Sequence, residues 1–462
     1  MAIMSRRRFH QTLLGTAASL SFPRIALADA TAVLVAAEGR ARLAPLEYPE
    51  TEVWAFGGSV PGPTLRVAQG MRVSRRFVNA LPQASSVHWH GIRIENAMDG
   101  VAGLTQAAVE PDGDFLYDFH VPDAGTYWYH PHNRSWEQMA RGLYGALIVE
   151  EADGAPDVDI DEVLLLDDWL LTDEAQIAGE FGNMHDWAHA GRIGNWITVN
   201  GNGAWSRTVQ HGSRMRLRLV NTANARIFSL EARGLKGWVV ALDGMPLDMP
   251  QPLDELSLAP AQRADLIVDV VAGEGEEAML VSFERDGGYV IAAFPVDGVA
   301  RADRLPAPGP LPPNPVAALG ALDTARRAEL LMEGGAMGGM RGAMMGGRMM
   351  GMRDMAGAGK VWAFNGMADM PGAPLMEADR GETVRISITN DTAWRHAMHL
   401  HGHHFRKIAA DGTAGPLRDT LLMNRGETAD IAFVADNPGD WLLHCHMLEH
   451  SAGGMMTWLR VA

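Results

Sequence analysis

Cys445 is the only cysteine among 462 residues, and it stands between two histidines in His444-Cys445-His446, with His450 and Met455 just beyond. A lone thiol has no partner in its own chain for a disulfide, but as a thiolate it binds soft metals. A blue-copper electron-transfer site is built from two imidazoles, one thiolate and a weak axial thioether. Cys445, His450 and Met455 supply three of those four ligands within eleven residues. Side chains alternate faces along an extended strand, so His444 and His446 point away from the face that Cys445 uses and can serve other metal ions one covalent step away.

Histidines recur elsewhere at the spacing that puts two side chains on one face of a strand. His88/His90, His130/His132, His399/His401 and His444/His446 form four His-x-His pairs. Eight imidazoles meeting across an interface match a cluster of three coppers, because imidazole is neutral and suits copper. His396, three residues before His399, is the expected fourth ligand of the Cys445 site.

An internal repeat must position these pairs. Gly70–Asn79, Gly212–Asn221 and Gly381–Asn390 each open with glycine, close with asparagine nine residues later, and alternate apolar with polar residues between. That pattern describes a half-buried strand bounded by turn residues. Nine residues after Asn79 comes His88, and nine after Asn390 comes His399, whereas nine after Asn221 comes Leu230. Gly125 precedes His130 by five, as Gly439 precedes His444. The first and third units therefore carry the histidine pairs, and the middle one keeps the scaffold without them. Three all-β units of sandwich type are expected over residues 29–152, 153–296 and 357–462, with 297–356 as a linker and methionine-rich segment. A short helix is expected over 317–332.

Composition narrows the partners. A net charge of −17 excludes nucleic acid as the favoured partner and is compatible with cations. Residues 1–28 read as a twin-arginine export segment: Ser5-Arg6-Arg7-Arg8-Phe9, an apolar stretch from Leu13 to Phe22, then the small-x-small site Ala26-Leu27-Ala28. The expectation is a periplasmic protein handled by the twin-arginine translocation machinery, with no membrane span and a monomeric state. One cysteine in an oxidising compartment is left free for chemistry.

His88-Trp-His-Gly, His130-Pro-His, His396-x-x-His-x-His-Gly and His444-Cys-His-x3-His-x4-Met together resemble the multicopper oxidases, most closely the bacterial periplasmic copper-efflux (cuprous) and laccase-like type. The resemblance covers all three units and implies cupredoxin-like domains and four copper ions. By position it implies a type 1 copper held by His396, Cys445, His450 and Met455. It implies a type 2 copper on His88 and His399. The type 3 pair would take His90, His130, His132, His401, His444 and His446. It further implies four-electron reduction of dioxygen to water, with Cu(I) or phenols as reductant and Cys445 on the electron route. Asp99, eleven residues after His88, would donate protons. Two positions depart from the family pattern: Ala397 replaces a frequent proline, and Ser451 replaces an acid that belongs to a proton path.

Nine of the 27 methionines lie between Met332 and Met355, among glycines. Thioethers favour Cu(I), so the segment is expected to recruit an additional, labile substrate copper, with Met349 and Asp354 at the family's spacing and Met344, Met345, Met350, Met352 and Met355 as further candidates. Two other functions fit the same residues: a phenol-specific laccase, and a non-catalytic copper-storage protein.

Overall fold

The computed structural model describes residues 32–284 and 287–462. The export segment expected over 1–28 lies outside the described residues. What is described is almost entirely β, in three sandwich units.

In the first unit, one sheet orders the strands Thr51–Phe56, Ala32–Ala41, Arg72–Ala80 and Asp114–His120. The facing sheet orders Leu65–Ala68, Gly145–Glu150, Gly125–His130 and His88–His90. The third unit repeats this plan, placing His396–Leu400 beside Gly439–Cys445. Apolar residues at every second position close each sandwich, as Val384, Ile386 and Ile388 do in the strand Thr383–Asn390.

The repeat strand of the middle unit, Arg214–Asn221, departs from the expected half-burial: every residue in it is buried. Its polar face is covered by neighbouring structure, so each arginine there finds a carboxylate. Arg214 pairs with Asp269, Arg216 with Asp265, and Arg218 with Asp161. Buried charges persist only when paired in this way.

Residues 317–325 form no helix, and Arg326–Gly334 is a strand running parallel to Thr383–Asn390 within the third unit's sheet. The third unit therefore begins before the methionine-rich segment, and the boundary expected at 357 falls too late. The alternating run from Ala328 to Met332 buries Leu330 and Met332, a period of two that selects strand over helix. The stretch between units two and three is pinned rather than free: the Asn314 side chain exchanges two 2.8 Å hydrogen bonds with the Ala124 backbone.

The methionine-rich segment folds as a hairpin, Gly342–Met345 against Arg348–Gly351, followed by the helix Met352–Gly357. Met355 is fully buried with Ala343, Ala363 and Ala368, while Met340, Met350 and Met352 pack around them. Met355, one of the candidate substrate ligands, thus sits inside a satellite core. Met349, by contrast, is 70% exposed.

Candidate metal centres

The strand register carries the histidine pairs into place. His88 lies opposite His130 in the first unit, and His399 lies opposite His444 in the third. Glycine follows both leading pairs for a steric reason. Gly91 has φ of +86°, and a β-carbon there would strike the Arg263 guanidinium; Gly402 has φ of +66°, and a β-carbon would strike the Trp441 ring.

The eight paired histidines converge at the contact of the first and third units. Ligand nitrogens of His88, His399 and His401 lie within 4.8 Å of one another, as do those of His88, His90 and His130, and of His132, His401 and His444. The His90 and His399 rings stack at 3.8 Å between centroids. His446 joins through His130, with Nε2 to Nε2 at 3.4 Å.

Outer hydrogen bonds orient these rings. His130 Nδ1 faces the Pro131 carbonyl at 3.0 Å, His444 Nδ1 the Cys445 carbonyl at 3.0 Å, and His399 Nδ1 the Asp419 carbonyl at 2.9 Å. Asp99 lies between units: its carboxylate is 3.0 Å from His401 Nδ1 and 3.2 Å from His88 Nδ1, and it is wholly buried. A nitrogen that faces a carbonyl or carboxylate carries the hydrogen, which leaves Nε2 as a bare lone pair turned inward. His401 Nε2 and His444 Nε2 are both of this kind, yet lie 3.2 Å apart. Two acceptors at that distance repel unless a cation sits between them. His88 Nε2, His132 Nε2 and His399 Nε2 are buried with no hydrogen-bond partner at all. Each such atom costs about 1–3 kcal/mol when left unsatisfied, so the donor set fits metal ions.

A second cluster lies along the same strand on its other face. Cys445 Sγ is 3.5 Å from His396 Nδ1 and 3.8 Å from His450 Nδ1, and those two nitrogens are 3.0 Å apart. His450 Nε2 donates to the His189 carbonyl at 2.7 Å. His396 Nε2 donates to Thr392 Oγ1 at 2.8 Å, whose own hydrogen goes to Asn390 Oδ1. Both Nδ1 atoms are therefore lone pairs facing each other beside a sulfur. Met455 is fully buried and its carbonyl accepts from the Cys445 amide. Trp362 walls the cluster, 4.5 Å from the His450 ring.

Burial sets the protonation states. It holds the imidazoles of His90, His130, His396, His401, His444 and His446 well below their ordinary range, with His132 down to about 3 and His450 to about 4. These rings stay neutral, which is the ligand form. Burial pushes the Cys445 thiol up to about 12. Its conversion to thiolate at neutral pH therefore requires a bound cation, and metal binding would expel that proton.

The structure thus brings together every histidine singled out for the two clusters, with Cys445 and Asp99. It also adds residues that motif reading passed over. Asp419 is fully buried, 3.5 Å from both His90 Nε2 and His399 Nδ1. Arg263 from the middle unit holds it at 2.7 Å, which with the two imidazoles keeps its carboxyl well below the usual range despite burial. Asp243 accepts from Arg418 at 2.9 Å and lies beside Arg263, tying the middle and third units together. Glu449 is buried next to His450, with its carboxyl raised to about 7 by burial. Ser451 places Oγ 3.2 Å from His444 Nδ1.

Comparison with known proteins agrees with this geometry. Multicopper oxidase family models match residues 39–154, 161–288 and 348–462. The chain is 42% identical to Lac15 from a marine microbial metagenome, with a TM-score of 0.76, over 93% of this chain and 100% of that one. It is 30% identical to the multicopper oxidase MmcO of Mycobacterium tuberculosis, over 89% of this chain and 83% of the relative. It is 26% identical to a copper resistance protein A homolog of Pseudomonas syringae pv. tomato, over 88% of each.

Proposed function

The chain belongs to the multicopper oxidase family, and from that premise we propose that it oxidises Cu(I), with phenols as side substrates, and reduces dioxygen to water in copper detoxification. The observation that carries this reading is the pair of facing, hydrogen-free nitrogens in each cluster: His396 against His450 beside Cys445, and His401 against His444.

In this reading His396, Cys445, His450 and Met455 hold a type 1 copper, His88 and His399 a type 2 copper, and His90, His130, His132, His401, His444 and His446 a type 3 pair. Bound there, copper supplies one-electron exchange at the first site and four-electron reduction of dioxygen at the second. Cys445 belongs to one cluster, and its chain neighbours His444 and His446 belong to the other, so a single covalent segment joins them. The buried histidine walls keep bulk water from the larger cluster. Asp99, bridging His88 and His401, is positioned to deliver protons there.

Resistance proteins among the relatives support copper as the physiological substrate. So does the hairpin, in which Met344 and Met349 form a cross-strand pair and so share one face. Asp354 is exposed in the following helix. These side chains would gather the labile substrate ion. Among the described residues no helix is long and apolar enough to cross a membrane. A periplasmic monomer delivered by twin-arginine export is part of the same proposal.

Oxygen uptake by copper-loaded protein, with Cu(I) as sole donor, tests it. Wild type should consume one dioxygen per four Cu(I), and Cys445→Ser should lose both the blue absorption and turnover. Equal uptake by both proteins would refute the electron route, and copper binding without uptake would leave a storage protein.

A further inference from the structure

His450 differs from its companions at the Cys445 site in what holds it. His396 and Cys445 lie on neighbouring strands of one sheet, where Met398 stands opposite Cys445 in the ladder. His450 lies off that sheet, on the short helix Leu448–Ala452, whose start has no side-chain cap. A helix of this length has little stability of its own, so it is aimed by what it touches.

The middle unit touches it at three points. The Asn224 carbonyl accepts from the Leu448 amide at 3.2 Å, at the start of the helix. The Asn224 side-chain nitrogen donates to Glu449 Oε1 at 2.9 Å and to the Trp136 carbonyl at 2.8 Å. One buried amide thus joins Trp136 of the first unit to Glu449 of the third, and Glu449 is buried as well. Gly191 is the second point. Its φ is +82°, and a β-carbon there would lie 2.5 Å from Ala225 Cβ and 3.2 Å from Glu449 Oε2, so glycine lets this segment close on the carboxyl. Two residues earlier, the His189 carbonyl takes the His450 Nε2 hydrogen.

We infer that Asn224 and Glu449 are positioning residues for the Cys445 centre. Their hydrogen bond fixes the helix against the middle unit and so sets where His450 Nδ1 stands relative to His396 Nδ1 and Cys445 Sγ. This role presumes the type 1 assignment of that cluster, in which neither residue gives an atom to the metal. Outer hydrogen bonds orient the ligands of a metal and tune it. The Met455 amide donates to the His450 carbonyl at 3.0 Å, so a tilt of the helix reaches the axial residue too. The middle unit, which carries none of the copper ligands, therefore helps to set the colour and potential of the centre.

Copper-loaded wild type, Glu449→Gln, Glu449→Met and Asn224→Ala test this, with redox titration against a mediator and the visible spectrum as readouts. Glu449→Gln keeps an oxygen acceptor for Asn224, whereas Glu449→Met fills similar space with none. Asn224→Ala keeps the carbonyl that Leu448 uses. Glu449→Gln should match wild type. Glu449→Met and Asn224→Ala should each shift the one-electron equilibrium with the mediator roughly threefold or more and change the blue band. The double variant Asn224→Ala/Glu449→Met should shift it no further than Asn224→Ala alone, because both changes remove one bond. Wild-type potential and spectrum in Glu449→Met, or additive shifts in the double variant, overturn the positioning role. So does a Glu449→Gln protein shifted as far as Glu449→Met, which would assign the effect to the charge of the carboxyl. Where loss of one partner prevents folding, the variant of the other decides. Wild type without a blue band overturns the type 1 assignment instead.

Discussion

Arg263 does more at the residue scale than its place in a ligand-free unit suggests. It is wholly buried, bonds Asp419 through two nitrogens at 2.7 and 2.8 Å, and donates to the Asp243 carbonyl at 2.8 Å. Asp419 in turn faces His90 and His399. Removing one partner of a buried pair leaves an uncompensated charge, which costs about 3–5 kcal/mol. Arg263→Ala should therefore lower the thermal midpoint of the metal-free protein and reduce the copper retained after dialysis. Melting curves and metal analysis measure both, and a variant with wild-type stability would show that Asp419 does not depend on this partner.

At the scale of elements, the hairpin Gly342–Met345/Arg348–Gly351 is packed into the third unit through Ala343 and the Met344 backbone. Met332 belongs to a sheet strand and Met355 to a satellite core, so excising all of 332–355 would damage the third unit as well as the methionines. Ala343 and Met350 serve that same core, and the Met344 backbone bonds Gly366 and Ala368, so the thioethers are best removed by replacing side chains alone, as in Met344→Leu/Met349→Leu, with the hairpin kept. That replacement should reduce Cu(I) oxidation several-fold and leave phenol oxidation intact or improved, as steady-state kinetics with each substrate would record. Parallel loss of both activities would favour structural damage, and unchanged Cu(I) kinetics would remove these two thioethers from copper handling.

At the scale of the whole molecule, the larger cluster exists only when the units are docked. The first and third supply imidazoles, and the middle supplies Arg263. Burial keeps these rings neutral in the fold, whereas in the unfolded chain they titrate near pH 6.5. The unfolded state then binds more protons as pH drops below about 6.5, so stability falls between that value and the lowered folded values, about 4 for His450 and about 3 for His132. Metal-free protein should accordingly lose thermal stability steadily from pH 7 to pH 4.5, and copper-loaded protein, whose folded rings likewise bind no protons in that range, should fall over the same range from a higher midpoint. Scanning calorimetry of both forms would show this, and midpoints that do not change with pH would contradict it. Chelation at neutral pH should lower the midpoint for the reason that any ligand bound only to the folded state raises it.

The four His-x-His pairs, the Cys445 quartet and the three-unit repeat were legible in the sequence by itself. Their signal is local: a period of two sets which face a strand residue uses, and a repeated Gly-to-Asn register carries the same face into two units. Asp99 was legible as an acid near His88, but not as a bridge to His401, 302 residues away. The tertiary structure alone decided that Arg263 reaches Asp419 across 156 residues and that His189 caps His450 across 261. The first is an ordinary arginine in a strand whose role depends on domain docking. The second acts through a backbone carbonyl, a group that every residue carries and no motif can mark. The start of the third unit at Arg326 was hidden too, because a parallel strand declares itself only through the neighbour it pairs with.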